Sequence, residues 1–388
     1  MTNSKPMNSQ GLVLWESAVA GPVAVRIAIA GDFLPAGKIE LPVGGWGAAA
    51  IGAGDHFKDV AVSFVNLECV LDAEGLRARP LYGIGAIVSA PSASLDYLHA
   101  VGARIVGVAN NHSYDFGAEG VERTQRALVR HGMIPLGAGR TLRNAPDVFI
   151  WQGPGNIRVG FWAAAKASHD LATRRAEGVE PATIGRARQA IEAIRARGAH
   201  FAIALLHAGC IRASRPDPGD AELMDRMAES GFDVVAASHS HRISGYGLLH
   251  ARRRSPAFCF YGLGSLVSGD TASALEREGF IVVAGFDSSG GLARLEIRPV
   301  FLGKTGFGEV PSPEASHTIL ERFQRLSAEI VDGSSKHLFY REVSQGLLRL
   351  HLRDVRAAFR ESGFRGLVRK ASRVRARHVW RAAHRMIG

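Results

Sequence analysis

Five apolar, strand-like runs in this chain each stop at a group able to bind a metal ion or move a proton. Residues 23–30 (VAVRIAIA) run into Gly31-Asp32, and residues 59–65 into Asn66-Leu67-Glu68. Residues 103–109 run into Asn110-Asn111-His112, residues 200–206 into His207, and residues 232–237 into Ser238-His239-Ser240-His241. Short continuous apolar runs bounded by turn residues read as buried strands. Strands that alternate with helices give an α/β chain, whose loops converge on one sheet edge and build sites there. A single polar residue after a strand is ordinary turn chemistry. Five in succession, all Asp, Glu, Asn or His, require a fold that gathers them.

The intervening segments carry helical periodicity. Leu95, Leu98 and Val101 mark a helix over 91–101, and residues 118–131 form an amphipathic helix. Ile184, Ala187, Ile191 and Ile194 repeat at helical spacing, and Met224, Met227 and Ala228 mark a helix over 222–229. The final third up to residue 300 is β-rich. The 388 residues fit one large domain with an appendage. Residues 1–22 read as a flexible leader, 23–310 as the main domain and 311–388 as a helical, Arg-rich extension.

Mean hydropathy is near zero, as in a soluble globular protein. Three separated cysteines (Cys69, Cys210, Cys259) form no CxxC pair, and the first twenty residues show no export signal. A cytoplasmic location is the expectation. The net charge of +11 is local: from Arg349 onward 12 Lys/Arg face only Asp354 and Glu361, leaving the body near neutral. Leu348, Leu352, Val355 and Phe359 make a stripe flanked by Arg349, Arg353, Arg356 and Arg360. That tail suits packing on the body, an acidic partner or an anionic membrane surface. No aromatic platform or recognition motif accompanies the charge, so nucleic acid is not expected.

The strand-end groups are carboxylates, imidazoles and an amide, without a thiolate. That mixture suits Mn, Zn, Fe or Mg and no organic cofactor, and one carboxylate between His and Asn ligands is a two-metal arrangement. The ordered set of Gly31-Asp32, Asn66-Leu67-Glu68, Ala109-Asn110-Asn111-His112, Asp115-Phe116-Gly117, His207-Ala208-Gly209, His239-Ser240-His241 and Tyr261-Gly262-Leu263-Gly264 resembles the CapA family. That family is named for poly-γ-glutamate capsule proteins and is related to calcineurin-like metallophosphatases; the resemblance covers residues 25–300.

The resemblance implies a four-layer α/β-β/α sandwich with a dinuclear centre. Asp32 and His241 would hold one metal, Asn111, His207 and His239 the other, and Glu68 would bridge. His112 would transfer the proton, Asn110 would contact substrate, and Gly137-Ala138-Gly139 would offer backbone amides to a substrate carboxylate. The chain departs from the pattern at Leu34, where metallophosphatases carry His, and at Ile211, where the family carries Glu. Ser238 and Ser240 stand in the usual His-His-Pro-His, and Ser265 replaces the Asn of Gly-Asn-Phe.

Outside that pattern, Lys166 follows a strand and is a candidate base or carboxylate partner. Arg212 and Arg215 are candidates to clamp an anion, and Cys210 reads as a small residue in the site wall. The resulting expectation is a metal-dependent enzyme performing hydrolysis or transfer on a peptide-like or γ-glutamyl carboxylate substrate. The same ligands also serve a metal-dependent peptide epimerase with His112 and Lys166 as paired bases. A non-catalytic scaffold of a polymer synthase and a plain phosphoesterase are further alternatives.

Overall fold

The computed structural model describes residues 11–79, 86–166, 168, 170–249, 256–269, 271 and 273–346. Two β-sheets lie face to face. The first has nine strands, in the order Leu12–Glu16, Leu292–Leu302, Glu278–Phe286, Val25–Gly37, Val62–Leu67, Ala103–Gly107 and Ile134–Leu136. Ser265–Gly269 pairs beside Val25–Gly37, and Gly308–Glu309 pairs with Leu292–Leu302. The second has six, in the order Tyr246–Leu249, Ala257–Phe260, Val234–His239, Phe201–Ala208, Arg158–Ala165 and Val148–Gln152. Pairing is parallel from Val25–Gly37 through Ile134–Leu136, and from Arg158–Ala165 through Ala257–Phe260. Glu68, Asn110 to His112, His207, His239 and His241 therefore lie at or beyond the carboxyl ends of parallel strands, whereas Asp32, read as following its strand, lies inside Val25–Gly37, which continues past it to Gly37.

The sheets meet through apolar side chains, with Phe64 edge-on to Phe161 at 5.4 Å. The outer face of the second sheet, including Trp162, Ala204 and Val235, is covered by helices Ile184–Ala196 and Pro218–Ser230 through Ile191, Ile194, Met224 and Met227. On the far side of the first sheet, Tyr97 of helix Leu95–Ala100 stacks between Phe33 and Phe307. Gly117–Arg130 lies beside Ile134–Leu136. This is the expected four-layer arrangement. Helix starts follow capping chemistry: Thr183 accepts the Arg186 N–H, and Asp217 caps a helix that opens with Pro218.

Three sequence readings are corrected. Leu12–Glu16, read as part of a flexible leader, is an edge strand antiparallel to Leu292–Leu302, with Leu12 buried and Trp15 edge-on to Phe258. The helix expected over 91–101 begins as a 3-10 turn at Ser92–Ser94 and becomes α-helical only at Leu95, after Pro91 in extended backbone. Pro313–Val331, assigned to the extension, packs on the body: Phe323 is fully buried and stacks on Tyr246 while meeting Phe280 edge-on. The Arg-rich stretch from residue 347 and its proposed partners lie outside the described residues, as do residues 1–10. No helix among the described residues is long and apolar enough to cross a membrane.

A buried histidine ties the Gly-rich segment to the sheet. His56 Nε2–H donates to Pro299 O at 2.7 Å, while Arg298 Nη1 donates to His56 O at 2.6 Å and pairs with Asp59 at 2.7 Å. Burial outweighs the help of the Pro299 carbonyl and, with the Arg298 charge, holds the imidazole down to about 4 from its ordinary 6.5. Between those values the unfolded chain binds a proton that the folded chain refuses, so stability falls as pH falls through that window. His56→Gln keeps a donor and removes the titration. Its denaturant-derived stability difference between pH 7 and pH 4.5 is expected to be smaller than the parent's by roughly 2 to 3 kcal/mol.

Candidate metal centre

Asp32 is the first member. Its strand carries it fully into the interior between the sheets. Oδ1 accepts from Asn66 Nδ2 at 2.7 Å; Oδ2 accepts the His239 N–H at 3.1 Å and lies 3.2 Å from His241 Nδ1. Burial opposes its charge, but the hydrogen bond and charge of His241, with the His207 charge, hold the carboxyl well below the usual range.

Glu68 follows the neighbouring strand, anchored by its N–H to Phe33 O at 3.0 Å. Its Oε1 is 3.5 Å from His207 Nε2 and 3.8 Å from His241 Nε2, while Oε2 is buried without a hydrogen-bond partner among the described residues. Burial, and then the Asp32 charge, push its carboxyl well above the ordinary range. His207 Nε2–H donates to Asn111 Oδ1 at 2.5 Å, and its ring lies 4.5 Å from that of His239. His239 Nδ1 is buried and has no hydrogen-bond partner among the described residues. Burial and the neighbouring imidazoles hold His207 and His239 low, His239 at about 4; His241, despite burial, is raised to about 9 by Glu68 and Asp32.

Two groups result: Glu68, His207 and His239; and Asp32, Glu68 and His241, with ligand atoms in each within 4.8 Å of one another. They share Glu68. The donor set fits divalent cations of hard or borderline character. The orphaned Glu68 Oε2 and His239 Nδ1 point the same way. A buried polar group left unpaired costs about 1–3 kcal/mol, more if charged, and a cation satisfies both atoms. Asn111 Oδ1 stands beside the first group through His207. The backbone is strained here, with φ of 112° at His239, 53° at His241 and 64° at Arg212, all outside glycine.

His112 is half-buried next to this centre, close enough for its charge to depress both His207 and His239. Its Nδ1–H donates to Asp115 Oδ2 at 2.8 Å, and that oxygen is fixed by the Val88 N–H at 2.8 Å. Nδ1 being held, Nε2 is left to accept a proton.

The substrate-contact residues fare differently. Asn110 is spent inside the protein: Nδ2 donates to Leu67 O at 2.7 Å and Asn66 Oδ1 at 3.3 Å, and Oδ1 accepts from the His112 N–H and Ser113 Oγ. It builds the turn and has no capacity left for substrate. Gly137 is buried at φ 98°, where a Cβ would fall 2.7 Å from Ala109 Cβ, so it permits close approach of the two sheets instead of lining a pocket. Gly139 is half-buried against Gln125. Lys166 Nζ forms an ion pair with Asp220, whose other oxygen accepts the Gly209 N–H at 2.9 Å; this ties Lys166 to the His207 loop. Arg212 reaches Glu276 at 3.3 Å and its N–H donates to Ser240 O at 2.9 Å.

Asn66 and Asp115 were not singled out by residue type. Asn66 joins three strand ends, donating to Asp32 and His207 and accepting from Asn110. Its signal was its place two residues before Glu68, where strand alternation puts both on one face. Asp115 lies three residues after His112, within reach across one turn.

The profile described as bacterial capsule synthesis protein PGA_cap matches residues 26–270. Capsule biosynthesis protein CapA of Bacillus anthracis is 23% identical over 186 residues, 46% of this chain and 44% of that protein. A probable polyglutamine synthesis accessory protein of Mycobacterium tuberculosis (strain CDC 1551 / Oshkosh) is 28% identical over 221 residues, 53% of this chain and 56% of that protein. The chain spans about half the length of these relatives. Among solved structures, a 5'-nucleotidase precursor from Thermus thermophilus gives a TM-score of 0.45 at 13% identity, covering 79% of this chain and 59% of that one. Calcineurin-like phosphoesterase YfkN from Bacillus subtilis gives 0.40 at 13% identity, covering 80% and 99%.

An ion in each group predicts an ordered loss. Elemental analysis of purified, metal-saturated variants should find Glu68→Ala stripped of nearly all metal, while His241→Ala and His239→Ala each keep about half of the parent's content. Equal losses in all three would show that Glu68 does not bridge.

Proposed function

Since the chain belongs to the bacterial capsule synthesis protein PGA_cap family, we propose that it is a dinuclear metal-dependent enzyme that hydrolyses or transfers a peptide or γ-glutamyl-type bond next to a carboxylate. The observation that carries this reading is the pair of ligand groups sharing buried Glu68, whose second oxygen has no hydrogen-bond partner among the described residues. The printed names of the relatives, capsule biosynthesis and polyglutamine synthesis, support a glutamyl-type polymer as substrate. Asp32, Glu68 and His241 would hold one ion, and Glu68, His207, His239 and Asn111 the other. Bound divalent ions supply Lewis acidity for cleaving an amide or ester.

The chain's own residues do the rest. Asp115 holds His112 in one orientation through Nδ1, leaving Nε2 to take a proton and return it to the leaving group. Asp220 and Lys166 fix the loop that follows His207. Epimerisation needs a second base opposite His112. Lys166, the candidate for it, is committed to Asp220, which favours hydrolysis or transfer. The tail beyond residue 347 would add a contact to an acidic partner or an anionic surface.

Metal-loaded protein incubated in deuterated water with γ-linked and α-linked glutamyl peptides, and separately with a simple phosphate ester, tests the reading by mass spectrometry. Peptide cleavage without deuterium at Cα is the expected result. Cα exchange without cleavage would make the protein an epimerase, and ester cleavage alone a phosphoesterase. Failure to take up any metal would leave the scaffold reading. His112→Ala is expected to keep its metal and lose about 10²- to 10⁴-fold in rate.

A further inference from the structure

A second charged cluster sits on the same loops and takes no part in the metal centre. The loop after His207 supplies Arg212 and Arg215, and the residue after His241 is Arg242. Arg215 makes a two-point ion pair with Glu329 at 2.8 and 2.9 Å. Arg242 reaches Ser273 Oγ at 3.4 Å and Glu276 at 3.5 Å. Between Arg215 and Arg242 enters Glu342, from the helix over residues 335–346. One of its oxygens accepts the Ser214 N–H at 2.9 Å and Arg242 Nη1 at 3.5 Å; the other accepts Arg215 Nη1 at 3.2 Å.

Two guanidiniums and a backbone N–H around one carboxylate make a carboxylate receptor. Its present occupant is lightly held. Within residues 335–346 only Ser335 and Phe339 are buried, and the others are exposed or half-buried. The occupant also leaves the receptor incomplete, because Arg242 Nε is buried without a hydrogen-bond partner among the described residues. A donor of that kind is costly to maintain unless another acceptor meets it.

We propose that Ser214, Arg215 and Arg242 form the receptor for a pendant carboxylate of an acidic peptide substrate, and that Glu342 is the chain's own stand-in, released when its helix moves aside. The identity of the ligand rests on the glutamyl-type substrate proposed above; the receptor itself rests on the contacts of Glu342. A chain of glutamyl units carries carboxylates at regular intervals. One can enter this receptor while a neighbouring unit occupies the metal centre that shares its loops.

Fluorescein-labelled penta-γ-glutamate, titrated with the metal-loaded full chain and followed by anisotropy, tests the proposal. Glu342→Gln is expected to bind it about tenfold more tightly than the parent, and adding Arg242→Gln to that variant is expected to abolish the gain. Phe339→Ala, which loosens the helix and leaves every receptor residue in place, should tighten binding in the same direction and guards against a folding defect in Glu342→Gln. The neutral pentamer with amides in place of the pendant α-carboxylates should show no gain. Affinities of parent and both helix variants within twofold of each other, or an equal gain for the neutral pentamer, would overturn the proposal. The Arg-rich tail is common to all these proteins and cancels from the comparison. Binding is read without turnover, so failure of the catalytic reading and failure of this one are separate results.

Discussion

The site depends on one buried carboxylate placed where two sheets meet. Asp32 belongs to the first sheet and is fixed there by Asn66 on the adjacent strand. Its second oxygen accepts the backbone of His239, the last residue of a second-sheet strand, and faces His241 just beyond that strand's end. Burial alone would favour a neutral carboxyl; His241 and His207 reverse that and keep it charged. Buried ion pairs contribute little net stability once desolvation is counted. The unpaired Glu68 Oε2 and the left-handed His239 and His241 are likewise costs that packing does not require. Stability given up in so small a volume is the mark of a site shaped for binding.

What could be read from the sequence is what periodicity encodes. The five parallel strands and the Asp, Glu, Asn and His residues that follow their apolar runs were legible because a buried strand is a local pattern, although Val25–Gly37 continues past Asp32 to Gly37. Which way a polar side chain faces is a tertiary matter. Asn110 and Asn111 are neighbours of the same type, yet one is consumed by Leu67 O and Asn66 while the other meets His207. Gly137 looked like a loop glycine ready to offer its amide, and it is instead the clearance between Ala109 and Ala163. Leu12–Glu16 was hidden because a five-residue edge strand is too short for alternation to declare itself. Pro313–Val331 was read only as part of a helical extension, because its docking against Tyr246 and Phe280 depends on strands far away in sequence.

The two chemical environments on this edge are complementary. Imidazoles, carboxylates and an amide suit cations, and a few residues along the same loops guanidiniums suit anions. Each is held by residues not assigned a functional role from the sequence: Asn66 for the first, Ser214 and Glu342 for the second. Such supporting groups escape motif reading because their residue types are common and only their positions are special. They set how closely the functional groups approach one another.

The central position of Val25–Gly37 has a consequence for how the protein comes into being. This strand pairs with Val62–Leu67 on one side and with Glu278–Phe286 on the other, partners that lie more than two hundred residues apart in the chain. Asp32 therefore emerges from the ribosome early and waits for most of the polypeptide before its sheet can close around it. His239 and His241, which complete its surroundings, also emerge long after it. During that interval the apolar strand flanking Asp32 lacks its second neighbour and is open to mispairing, so the nascent chain is most vulnerable to aggregation before Glu278–Phe286 is made. The full candidate ligand set exists only once the two sheets have met.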